Sequence, residues 1–212
     1  MLYDLELRIN FSHAGSDLYE DGVLPNFDAI ERYEDRSVIF IVRDPRDVLV
    51  SYHGDLVHRH NVFDGSLSDM AKAPGIGIDS ICAFNTLWLQ RAKQMRGFRL
   101  VRYESLCAKP EETLGELCKF LGAFWITRSR IRTVVANSSF DRMQRGEQSG
   151  EYAAEYPKYW FEGAHGQDRP PKVRRGKPGG FVDEMPDDVR VYCDERIREC
   201  GYPEYLLAVP LN

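Results

Sequence analysis

Apolar and polar residues alternate in one short stretch of this chain and recur at helical spacing in several longer ones. Leu5, Leu7, Ile9 and Phe11 alternate with Glu6, Arg8 and Asn10, which predicts a strand over residues 5–11 with one buried face. Val38-Ile39-Phe40-Ile41-Val42 is continuously apolar and mostly β-branched, as suits a strand covered on both faces in a parallel sheet. Phe98-Arg99-Leu100-Val101-Arg102-Tyr103 predicts a third, weaker strand. Pro45 stands where a first helical residue belongs, and Val48, Leu49, Tyr52 and Leu56 after it form one face. Asp79 or Ser80 can cap a helix carrying Ile81, Phe84, Trp88, Ala92 and Met95, stopping at Gly97. Pro110-Glu111-Glu112 opens another with Leu114, Leu117, Cys118 and Leu121 apolar and Gly122 at its end. Pro186-Asp187-Asp188 opens the last, with Val189, Cys193, Ile197 and Cys200 on one face and Gly201 closing it. Strands separated by helices imply a layered α/β fold.

Between Asp141 and Val182 the pattern changes. Gly146, Gly150, Gly163, Gly166, Gly176, Gly179 and Gly180 are expected to break regular structure, and charges alternate with Tyr152, Tyr156, Tyr159, Trp160 and Phe161. Ordered loops of this length are uncommon and often functional. Residues 141–182 therefore read as a mobile cover over a site, with a surface loop as the alternative. There is no internal repeat, and the 212 residues read as a single domain with an ordinary core.

Charge narrows the partners. The net charge is −5, so broad attraction to nucleic acid is not expected, and any anion site must come from local clusters of cations. The longest wholly apolar run, Val38 to Val42, is far too short to span a bilayer. Met1-Leu2-Tyr3-Asp4-Leu5-Glu6 is acidic and lacks the apolar segment of a signal peptide, so a cytoplasmic location is the default expectation. The five cysteines are odd in number, contain no Cys-x-x-Cys, and read as buried reduced thiols. His58-Arg59-His60 lacks a nearby third ligand and reads as solvated, so no metal is expected.

Two segments carry candidate chemistry. In Ile41-Val42-Arg43-Asp44-Pro45-Arg46-Asp47, an arginine stands where a buried strand runs out, which is where ligands sit in open parallel sheets. Its planar guanidinium can hold phosphate through two parallel hydrogen bonds, and Ser51, eight residues on, adds a neutral hydroxyl. The plain alternative is a helix start in which Arg46 pairs with Asp47 or Asp44. The second segment, Arg174-Arg175-Gly176-Lys177-Pro178-Gly179, joins three cations to glycines whose backbone can present N–H groups to an anion. Its alternative is a solvated basic loop.

With what lies between them, these segments resemble the sulfotransferases that use 3′-phosphoadenosine 5′-phosphosulfate (PAPS). Arg43-Asp44-Pro45-Arg46-Asp47-Val48-Leu49-Val50-Ser51-Tyr52 is similar to the family's 3′-phosphate-binding strand and helix. Leu100-Val101-Arg102-Tyr103-Glu104-Ser105-Leu106, followed by Pro110-Glu111 and Phe120-Leu121-Gly122, resembles its "RYEDL…P…FLG" stretch. Asn137-Ser138-Ser139-Phe140-Asp141-Arg142-Met143 resembles "TSFxxM", and Arg174-Arg175-Gly176-Lys177-Pro178-Gly179-Gly180-Phe181 stands where the family has "RKGxxGxW". Four motifs in the family's order, over roughly residues 5–200, make a strong signal.

The resemblance implies a three-layer α/β fold, with a mostly parallel sheet flanked by helices. It implies transfer of a sulfuryl group from PAPS to a hydroxyl or amine of a small-molecule acceptor, with adenosine 3′,5′-bisphosphate (PAP) as product. Arg43, Ser51 and Arg174 would hold the 3′-phosphate, helped by Arg175 and the backbone at Gly176. Tyr103 would hydrogen-bond near the adenine, and Ser138 and Phe140 would line its pocket. His13, after the strand ending at Phe11, stands where the family has its general base, a role suited to imidazole. The lysine common two residues before that histidine is replaced here by Phe11.

One departure stands out. The family's first strand and Pro-Lys-Ser-Gly-Thr-Thr-Trp-like loop, which cradles the 5′-phosphosulfate, have no counterpart in these residues. In the family's strand order that strand lies between those containing Phe40 and Leu100. Its loss would expose buried backbone groups at about 1–3 kcal/mol each. A misplaced start, direct pairing of the flanking strands, or a strand from another chain would each resolve this, and a misplaced start is the expected origin of the sequence. The chain as given is expected to bind the donor weakly and turn over poorly. A non-catalytic PAP-binding module, a degenerate homologue of the family, is the alternative, and an α/β interaction domain with solvated basic loops is a third.

Overall fold

The computed structural model describes residues 33–151 and 177–211, apart from the side chain of Arg59. The strand expected over 5–11 lies outside them. Two strands, β1 (Ser37–Val42) and β2 (Gly97–Arg102), pair in parallel with register Ser37↔Gly97 through Val42↔Arg102. Direct pairing of these strands is thus the arrangement the protein adopts. It leaves no row of unpaired backbone groups between them.

Between the strands come α1 (Pro45–Asp55), a single π-turn over Leu56–His60, α2 (Leu67–Lys72) and α3 (Ile78–Arg91). After β2 come α4 (Tyr103–Ala108), α5 (Pro110–Phe120), α6 (Arg128–Asn137) and α7 (Phe140–Ser149). Past residue 176 lie α8 (Phe181–Glu184) and α9 (Asp187–Glu199).

The core forms on one face of the strand pair. Phe40 and Val42 point into it, and Phe40 stacks on Trp88 of α3 with ring centroids 5.5 Å apart. Leu49 and Leu56 from the start of the chain's first helical face meet Val189, Cys193 and Ile197 of α9 in the same cluster. Each is almost fully buried, at about 1.5–3 kcal/mol for a large aliphatic side chain.

The other face differs from the sequence expectation, because Ile41 is 54% exposed. On that side α5 lies against β2, where Glu116 pairs with Arg99 at 3.5 Å and Val101 is buried. Among the described residues, β1 is therefore covered on one face at Ile41 and not on both.

Other differences have local causes. α3 starts from Gly77 as N-cap, ahead of Asp79 and Ser80. A Cβ at Gly77 would lie 2.5 Å from the Ala71 carbonyl oxygen, so the chain reverses where only glycine fits. Gly146, read as a breaker, lies buried inside α7. α9 ends at Glu199, which turns Cys200 to the surface, and Cys107 is exposed as well. All five thiols are free, but only Cys82 and Cys193 are buried. Burial pushes the Cys193 thiol up to about 12, so it behaves as a neutral core group.

Candidate functional site

The carboxyl ends of β1 and β2 lie side by side because Val42 pairs in register with Arg102. The next residue of each chain segment, Arg43 and Tyr103, therefore falls into contact. The Arg43 guanidinium carbon sits 4.6 Å from the Tyr103 ring centroid, over its electron-rich face. The backbone N–H of Asp44 donates to Glu104 Oε1 at 3.0 Å, which fastens the two strand ends together. Arg43 Nη2 faces Asp47 Oδ2 at 3.4 Å, one helical turn on. Arg43 Nε is buried and has no hydrogen-bond partner among the described residues. An unpaired buried donor costs free energy, and this one has no partner among the described residues.

Burial raises the titration of the Tyr103 hydroxyl, and its hydrogen bond with Cys107 raises it further, while the Arg43 charge acts in the opposite direction. The net direction is upward, so the hydroxyl keeps its proton at neutral pH and can donate it in a hydrogen bond.

Arg46, three residues from Arg43, has a different environment. It is 1% exposed, and its Nε and Nη2 donate to the two oxygens of Asp44 at 3.0 and 2.8 Å. Nη1 donates to Asp194 of α9 at 2.7 Å, and Nη2 also donates to the Val209 carbonyl. The guanidinium lies over the Phe181 ring at 4.2 Å. Burial opposes its charge, but the Asp44 and Asp194 carboxylates outweigh that and hold it protonated. Asp44 was among the partners the sequence offered for Arg46. Asp194 was not, because a single acid beside the apolar stripe of α9 carries no signal of its own.

Asp44 and Asp47 do more than start a helix. Asp44 caps α1 by accepting from Arg46 N–H and also accepts from Ala208 N–H at 2.8 Å. Arg102 donates to the Leu207 carbonyl at 2.9 Å. The C-terminal segment is thereby strapped across the strand ends. Asp47, 3% exposed, accepts from the backbone N–H of Gly179 at 2.7 Å and of Phe181 at 3.0 Å. The described end of the basic segment is thus bound to the carboxylate that pairs with Arg43. Lys177 is exposed and pairs with Asp183 at 3.4 Å.

The other candidates are placed as follows. Ser51 is exposed on α1, two turns beyond Arg43 along the line through Asp47. Ser138 is exposed where α6 ends, and Phe140 is half-buried at the start of α7. α7 packs on α6 and α6 on α5. Among the described residues, neither Ser138 nor Phe140 makes a hydrogen bond or ring contact with Arg43 or Tyr103. His13, Arg174, Arg175 and Gly176 lie outside the described residues. His60 faces Asp55 at 3.3 Å.

A family model for the sulfotransferase domain matches residues 33–201, and the chain belongs to that family. No curated protein matches it in sequence. Solved structures share its fold. A retinol dehydratase in complex with androsterone and inactive cofactor PAP aligns with TM-score 0.62 at 16% identity. That alignment covers 78% of this chain and 47% of the dehydratase. The same enzyme with retinol and PAP aligns with TM-score 0.60 at 14% identity and the same coverage of each chain. Mouse sulfotransferase SULT7A1 complexed with PAP aligns with TM-score 0.62 at 17% identity, covering 84% of this chain and 62% of the mouse protein. The chain therefore spans between about half and three-fifths of these neighbours, and the likeness establishes an α/β sulfotransferase fold. Among the described residues no helix is long and apolar enough to cross a membrane.

Proposed function

We propose that this protein is a PAPS-dependent sulfotransferase whose 3′-phosphate site is built on Arg43. The observation that carries the reading is the state of that side chain. It is held over Tyr103 and beside Asp47, it is 26% exposed, and its Nε has no hydrogen-bond partner among the described residues. A ribose 3′-phosphate suits the part of this guanidinium that stays open, since a guanidinium bonded on one edge can still bind an oxyanion on another. Ser51, Arg174, Arg175 and the Gly176 backbone complete the phosphate site in this reading. Tyr103, Ser138 and Phe140 receive the adenine.

PAPS supplies an activated sulfuryl group when bound. The acceptor is a small molecule with a hydroxyl or amine, a class supported by the retinol and androsterone seen beside PAP in the neighbours. His13 takes the proton from the attacking oxygen or nitrogen, and its imidazole is suited to that task near neutral pH. The cations at the strand ends hold the nucleotide and contribute by positioning. The reading places the protein in the cytoplasm.

A second reading is a module that binds PAP without turnover. The direct pairing of β1 with β2 favours it, because among the described residues no strand lies between them to present a loop to the 5′-phosphosulfate.

Calorimetric titration with PAP and with adenosine 5′-monophosphate tests the site, and a turnover assay with labelled PAPS separates the two readings. PAP is expected to bind at least about tenfold more tightly than the monophosphate, and Arg43→Ala is expected to abolish that preference. An unchanged preference in Arg43→Ala would remove this site assignment.

A further inference from the structure

Two aromatic side chains stand out of a short, closed turn. The Ala123 N–H donates to the Cys118 carbonyl at 2.8 Å, and the Ile126 N–H donates to the Ala123 carbonyl at 3.2 Å. Residues 123–126 therefore close into a turn between α5 and α6. Phe124 and Trp125 hold its two central positions and are 79% and 55% exposed. Such positions usually go to Gly, Pro, Asn, Asp or Ser. The turn is pinned on both sides, by buried Ala123 before the rings and by buried Ile131 of α6 after them. The rings are thus held outward on an ordered segment.

Cations begin where the turn ends. Arg128 and Arg130 lie in the first turn of α6, are exposed, and have no acidic partner among the described residues. Their neighbours differ, since Arg132 faces Glu111 at 3.4 Å and Lys119 faces Glu116 at 2.8 Å. The first turn of α6 holds no acid, so the two charges oppose the helix dipole and do not serve the helix. With a net charge of −5, the chain is not generally basic, and these cations are a local feature.

We propose that the Phe124-Trp125 turn, with Arg128 and Arg130, is a docking surface for an anionic lipid bilayer. The rings enter the boundary between headgroups and acyl chains, and the guanidinium groups meet the lipid phosphates and carboxylates. The size of the patch favours a bilayer over a protein. Two such rings bury roughly 150–250 Å² each, short of the ~800 Å² per partner of a standard protein interface. A bilayer needs no matching surface, favours tryptophan at its interface, and draws arginine toward its anionic headgroups. The contact is peripheral, because no described helix is long and apolar enough to cross a membrane. The inference goes beyond the proposed function and does not rest on the nucleotide site.

The experiment sediments the full chain with phosphatidylcholine vesicles, alone or holding about 30% phosphatidylserine. Binding is expected to be at least about tenfold tighter on the anionic vesicles and to weaken as salt rises. Arg128→Gln combined with Arg130→Gln should remove most of that preference. Phe124→Ser combined with Trp125→Ser should lower binding to the anionic vesicles by about tenfold. Circular dichroism checks that both variants fold. Should either not fold, quenching of tryptophan fluorescence by brominated acyl chains decides the matter. Quenching is expected in the unaltered chain and should be largely lost in Trp125→Phe. Equal affinity for the two vesicles, no binding, or quenching that Trp125→Phe leaves unchanged overturns the proposal. A dimer that Phe124→Ser with Trp125→Ser dissolves, in a chain that ignores vesicles, also overturns it and assigns the rings to a second copy. These readouts use no nucleotide, so their failure leaves the proposed function standing.

Discussion

Arg43 and Arg46 flank the same Asp44-Pro45 helix start, yet one is bonded on every nitrogen and the other is not. The Arg46 corner, closed by Asp44, Asp194, Val209 and Phe181, is a packed junction between α1, α9 and the C-terminal segment. The Arg43 corner, formed with Tyr103 and Asp47, is 26% open at the arginine side chain and has a donor unmet among the described residues. A guanidinium bonded on every nitrogen inside the protein holds the fold together. One with a bond missing keeps a donor that the described residues leave unused. Chemically identical side chains three residues apart are thus set apart by how many partners each finds.

The strongest way to break this comparison is to remove the saturated arginine. Arg46→Met keeps most of the volume but leaves the Asp44 and Asp194 carboxylates buried without their cation. Urea unfolding is expected to show a loss of about 3–5 kcal/mol. In Arg43→Ala the same measurement should change by less than about 1 kcal/mol, since that ion pair is partly open and has one carboxylate partner. Similar losses in the two variants would end the distinction between the corners.

Tyr103 sharpens the comparison on the binding side. Tyr103→Leu removes the ring beneath Arg43, a contact worth about 0.5–1 kcal/mol, so the 3′-phosphate preference measured by titration should fall about threefold. Tyr103→Phe keeps the ring face and should keep the preference. Equal behaviour of the two variants would show that the ring does not set the arginine.

The smallest effect belongs to an exposed charge in the first turn of α2. Asp69 sits in the capping box of α2, where the Ser66 hydroxyl and backbone N–H hold its carboxyl below the ordinary value. Its folded value lies under its unfolded one. The stability it adds is therefore present above the unfolded value and is lost as pH falls through the folded one. Wild type and Asp69→Asn should differ slightly in unfolding midpoint at neutral pH and converge in acid. A gap that persisted in acid would show that the cap does not act through its charge.

Much of the architecture was legible from local pattern. The apolar run at Val38 gave β1, the weaker run at Phe98 gave β2, and Pro45 and Pro110 marked the helices they begin. The four family motifs also appear in the sequence without any geometry. Less legible was what packs where. Ile41 belongs to a run that looks buried throughout, yet its exposure depends on where α5 lies. Gly146 looks like a break, yet it lies buried inside α7, which ends instead at the left-handed Gly150.

By itself, then, the sequence determined β1, β2 and the helices α1, α3, α5 and α9, but not α2, α4, α6, α7 or α8, and it marked Arg43 as a residue at a strand end. Those properties follow from side chains a few residues apart, where spacing and backbone preference act directly. Only the tertiary structure decided that Arg46 is saturated and that Asp47 joins two distant segments. Arg46 and Asp194 are 148 residues apart, and Asp47 and Gly179 are 132. At such separations the pairing is set by how the whole chain packs, because a carboxylate has no periodic signature that names its partner.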